Sequence, residues 1–101
     1  MAGQPNAAEF RTLARTRVSD LVARLEAEGG RARFAEVLDL AAHLGRAIDS
    51  FHMEAIRFRM FTLDRKFKSG TIPVSPEAQV ILEDIKHALE AAGFQTRSVA
   101  P

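Results

Sequence analysis

The 101-residue chain contains no cysteine, no tryptophan and no tyrosine. Without cysteine there is no disulfide, no thiolate nucleophile and no cysteine-ligated zinc. No run of 18 or more uncharged apolar residues occurs, so no segment reads as a transmembrane helix. The first ten residues, MAGQPNAAEF, lack a basic region followed by an apolar run. The expectation is therefore a chain without a secretory signal, placed in the cytoplasm. An excess of one charge sign is missing too: the net charge is +1.

Catalytic signatures are equally scarce. There is no glycine-rich phosphate loop, no G-x-S-x-G and no H-E-x-x-H. Gly29-Gly30 reads as a turn between helices, and Thr71 and Ser75 are hydroxyls with no evident base. The carboxylates are scattered over helix surfaces. The expectation is a protein that binds rather than catalyses, with no cofactor. Arginine outnumbers lysine 11 to 3 and alanine is abundant, which suggests GC-rich coding and a bacterial source.

What the chain does have is helical pattern. Its length allows one domain, 1–101, and 47% hydrophobic residues suffice for a modest core. Asn6 is a good N-cap with Glu9 at the third helical position. Phe10, Leu13, Ala14, Val18, Leu21 and Leu25 then recur at three- and four-residue spacing until Gly29 and Gly30 stop the helix. Near the other end, Ser75 is an N-cap followed by Pro76 and Glu77, as a helix start prefers. Ala78, Ile81, Ile85, Ala88, Leu89 and Ala92 make the buried stripe and Gly93 the stop. Phe94 would sit at C″ and pack back on Leu89 in a Schellman ending.

Between them, residues 32–69 hold no proline and only one glycine, Gly45. A single helix there would run ~57 Å at 1.5 Å per residue, with Gly45 as the point where it can kink. Its start is poor, because Arg31 and Arg33 oppose the helix dipole. The predicted architecture is all-α: three helices at about 7–28, 32–69 and 76–92, the last packing back on the long central one, with loose tails at 1–5 and 95–101. The competing reading makes residues 56–63, IRFRMFTL, a strand, since Phe58, Met60 and Thr62 alternate with Arg57 and Arg59. No good second strand exists to pair with it.

The segment Phe51–Phe67 is the most informative. It holds four of the seven phenylalanines, two of the three methionines and four positive charges. On one long helix its apolar residues spread too far round for a single domain to cover. That predicts a helical-bundle homodimer, or a protein partner, meeting Met53, Ile56, Met60, Phe61 and Phe67. The biochemical role that follows is a small protein–protein interaction module: a scaffold, adaptor or regulatory subunit.

Charge and histidine offer the alternatives. Arg57, Arg59, Arg65, Lys66 and Lys68, interleaved with phenylalanine, could serve a nucleic acid through phosphate contacts and base stacking. The plainer reading is that the acidic last helix neutralises them. A membrane surface fits less well, because Arg59 and Lys66 interrupt the apolar face. Asp49–His52 and Asp84–His87 each have i, i+3 spacing, a fragment of a carboxylate–histidine metal site. Only His52 is expected to point inward, and a core-edge histidine with one hydrogen-bond partner is the simpler reading. No metal is expected.

Overall fold

Asn6 accepts a hydrogen bond from the Glu9 N–H at 2.9 Å and opens the first helix. In the computed structural model, which describes residues 6–94, the chain forms four helices. These are α1 (Ala7–Ala27), α2 (Arg31–Asp49), α3 (Met53–Lys68) and α4 (Pro76–Ala91). The expected tails at 1–5 and 95–101 lie outside the described residues. Residues 56–63 are helical, so the strand reading is set aside.

The three-helix expectation is corrected at its centre. The long helix breaks at Ser50–His52, five residues beyond Gly45. The break is a Schellman ending: His52 N–H donates to the Ala47 carbonyl at 3.2 Å, and Phe51 N–H donates to Ile48 at 3.1 Å. The C′ position of this motif takes a positive φ and is usually glycine. Here it is Phe51, at φ 59°, the one non-glycine residue with positive φ among those described. The left-handed conformation costs a side-chain-bearing residue ~1–2 kcal/mol. Two contacts offset it. The Arg11 guanidinium lies 4.6 Å from the Phe51 ring centre, and Phe94 meets the ring edge-on at 5.8 Å. Together these are worth roughly 1–2.5 kcal/mol.

Gly45 has a different use. It is buried in regular helix, and a Cβ there would come within 3.0 Å of the Arg15 guanidinium carbon. Its bare Cα gives Arg15 room to cross α2 and pair with Asp49 at 3.0 Å. The weak start of α2 shows as well: Gly30 offers no side-chain cap, the first turn has no acid, and Phe34 has non-helical φ/ψ of −124° and 27°.

The helices alternate in direction around a square. Arg15–Asp49 joins the first half of α1 to the end of α2. Lys66–Glu36 at 3.0 Å joins the end of α3 to the start of α2. Arg17–Asp84 at 3.3 Å and Ser75–Glu28 at 2.7 Å make α4 antiparallel to α1. Thus α4 packs chiefly on α1, where the expectation had it on the central helix, and α2 packs on α1 and α3. The α3–α4 side meets only briefly, and the diagonal pairs make no close backbone approach among the described residues.

Side chains from all four helices close the core. Ala14, Val18, Leu21 and Leu25 come from α1, and Phe34, Val37, Leu38, Ala41, Leu44 and Ile48 from α2. Ile56, Met60, Leu63 and Phe67 come from α3, and Ala78, Leu82, Ile85, Ala88 and Leu89 from α4. Phe94 is buried, and its N–H donates to the Leu89 carbonyl at 2.9 Å in the second Schellman ending.

Met60 is fully buried. Replacing it with alanine is expected to destabilise the protein by about 2–5 kcal/mol, the range for truncating a buried long side chain. Chemical denaturation followed by circular dichroism measures this. A loss below about 0.5 kcal/mol, typical of a surface position, would contradict its place in the core.

Candidate interaction face on α3

The break at Ser50–His52 resets the helical phase of α3. His52 becomes the N-cap of α3, with Nδ1 accepting a hydrogen bond from the Ala55 N–H at 3.1 Å. It is exposed, not inward as expected, because it lies in the turn and no longer on a continuing helix. Its ring does for α3 what Asn6 and Ser75 do for α1 and α4. Asp49 pairs with Arg15 and Asp84 with Arg17, so both aspartates of the D-x-x-H pairs are engaged by arginines. His87 is exposed, and no group of three or more potential metal ligands occurs among the described residues.

From Met53 onward α3 carries two stripes. Ile56, Met60, Leu63 and Phe67, spaced four, three and four apart, are buried against the rest of the chain. This corrects the interface reading for Ile56, Met60 and Phe67. On an unbroken helix they would fall to one side of the core stripe, whereas on a reversed helix they face into the core. Of the five expected interface residues, Met53 is exposed and Phe61 is half-buried.

The second stripe is Glu54, Phe58, Phe61 and Arg65, at the same four-three-four spacing. At 100° per residue it lies roughly 160° round the helix from the first. Phe58 is 58% exposed, and the Arg59 guanidinium stands 5.3 Å from its ring centre. Glu54, Arg57, Phe58 and Phe61 line a shallow groove. A second groove, formed by Met53, Glu54, Arg57 and Gly93, continues it toward the end of α4. Met53 is 57% exposed and Phe51, next to it in the turn, 61%. Three of the five large exposed hydrophobics of the described chain thus fall within residues 51–58.

All three lysines are engaged inside the chain. Lys66 pairs with Glu36 on α2, and Lys68 with Asp64 at 3.1 Å. Lys86 of α4 reaches Asp64 at 3.3 Å and Glu83 at 3.5 Å. The ion pair between the last two helices therefore runs opposite to the expected sense, with α4 supplying the cation and α3 the acid. Lys86 is only 14% exposed. Burial works against its ammonium, but Asp64 and Glu83 outweigh that and hold its pKa above the ordinary lysine value. On the solvent side of α2, the exposed Asp39 carboxyl is held below its usual range by the hydrogen bond from Arg31. Glu54, Arg57 and Arg65 make no ion pair or hydrogen bond through their side chains among the described residues.

The expected interface left out Phe58 and Glu54. The signal was the four-three-four spacing of 54, 58, 61 and 65, hidden while the whole segment was placed on one helix. No helix of the described chain is long and apolar enough to cross a membrane. Compared with protein-family models, curated proteins and solved structures, the chain matches none.

Lys86 gives a pH prediction. A folded pKa above the unfolded one adds stability that is fully present at neutral pH. That stability is lost as the pH rises through the folded value. Lys86→Met is expected to cost about 1.5–3 kcal/mol at neutral pH, as for hydrogen bonds to charged groups. The gap to wild type should close in strongly alkaline solution. Urea midpoints of the two proteins across that range measure it, and a gap constant with pH would contradict the account.

Proposed function

We propose that the protein is a small helical interaction module, an adaptor, scaffold or regulatory subunit without catalytic activity, that meets a protein partner through the outer face of α3. The observation that carries this reading is a helix with an apolar stripe left over after its own core is satisfied. Phe58 is more than half exposed beside Phe61, with Met53 and Phe51 continuing the patch. Large aromatic side chains at a surface have a cost in water that a partner removes, and aromatic and arginine residues are the usual anchors of protein interfaces. The grooves beside Arg57 give such a partner apolar floor and charged rim together.

The second reading, a nucleic-acid contact through Arg57, Arg59, Arg65, Lys66 and Lys68, keeps one supporting observation. Arg57, Arg59 and Arg65 have no carboxylate partner in the described chain. Against it, Lys66 and Lys68 are held by Glu36 and Asp64. Glu54 lies on the same face at its N-terminal end, and the net charge of +1 lacks the basic excess of most nucleic-acid domains.

Placing p-benzoylphenylalanine at position 58 and irradiating cells of the native host tests the proposal. The expected result is a discrete protein adduct that is absent when the same group replaces Thr16, an exposed residue of α1. A nucleic-acid adduct alone, or equal labelling from both positions, would overturn it.

A further inference from the structure

We infer that the occupant of this face is a second copy of the chain, with the two α3 helices paired antiparallel about a two-fold axis between Phe58 and Phe61. The inference rests on the interaction reading above and specifies its partner. The pattern of the outer stripe is acid, aromatic, aromatic, base: Glu54, Phe58, Phe61 and Arg65. An antiparallel pair centred on its midpoint puts Glu54 opposite Arg65 of the second copy, Phe58 opposite Phe61, and the same contacts again on the other side of the axis. A two-fold interface must be complementary to itself in this way. A parallel pair would set Glu54 against Glu54 and Arg65 against Arg65.

The four-three-four spacing is also the seam that lets two helices interdigitate at a shallow angle. Neither Glu54 nor Arg65 has an ionic partner among the described residues, so pairing breaks no ion pair among them. Other occupants fit less well. An acidic peptide or an anionic surface would answer Arg57 and Arg65 but repel Glu54, and a basic one would do the reverse.

The stripe from Glu54 to Arg65 covers only about 18 Å of helix at 1.5 Å per residue. Such an interface is small and the association correspondingly weak and concentration-dependent. Sedimentation equilibrium at low salt, up to ~1 mM protein, is the appropriate measurement. Wild type is expected to dimerise reversibly. Glu54→Arg and Arg65→Glu each turn two attractive contacts into two repulsive ones. Each should weaken dimerisation about fourfold or more, given ~0.2–1 kcal/mol per exposed pair.

The decisive arm is an equimolar mixture of the two variants, in which every facing pair is again opposite in charge. It is expected to recover dimer. Because arginine in the first turn of α3 opposes the helix dipole, Glu54→Gln serves as a gentler variant. It should weaken self-association with an unchanged circular dichroism spectrum. A wild type that stays monomeric throughout, or a mixture that associates no better than its components, overturns the second-copy inference. In either case a protein adduct at position 58 of different composition would leave the interaction reading standing, and its absence would remove both.

Discussion

The placement of α3, and of the core it closes, depends on one turn of chain in a left-handed conformation. A run of residues with no proline and one glycine could continue as helix well past Gly45, and local propensity favours that. The Schellman ending at Ser50–His52 stops it instead. The turn takes a phenylalanine where glycine is usual, and Arg11 and Phe94 hold that ring in place from α1 and from the end of α4. The reversal is thus secured by elements distant in sequence. Local pattern had no means of showing it, because glycine, the usual mark of such a turn, is missing.

The consequences are geometric. Folding α3 back on α2 brings Lys66 to Glu36 and turns Ile56, Met60, Leu63 and Phe67 into the core. Four antiparallel helices then share one apolar interior, and α1, touching both α2 and α4, anchors the square. The side between α3 and α4 is the loosest and is bridged by Lys86, whose ammonium is partly buried between Asp64 and Glu83. The same reversal that satisfies the inner stripe of α3 leaves the outer one, with Phe58 at its centre, facing away.

The outer helices were legible because each carries its own stop and start signals. Asn6 with Glu9, Gly29-Gly30, Ser75-Pro76 and Gly93-Phe94 act through the backbone within a few residues, and the caps formed as those residues imply. The centre was legible as helix but not as two helices. An error of phase followed: one continuous helix assigns Ile56, Met60 and Phe67 to a partner, whereas two helices assign them to the core. The sense that residues 51–67 hold more apolar surface than one face can use survives in a reduced form. It now rests on Phe58 and Phe61 with Met53, not on the whole segment. The role of His52 escaped for the same reason, since a cap has meaning only where a helix begins.

The measurement closest to the central claim is a distance between spin labels at positions 36 and 66, taken in protein diluted with unlabelled chain. The helical hairpin brings these positions together, since Lys66 and Glu36 form an ion pair at 3.0 Å. A short separation, at the lower limit of the method, is the result this account requires. A continuous helix would hold the two positions ~45 Å apart at 1.5 Å per residue, and a distance of that size would contradict it.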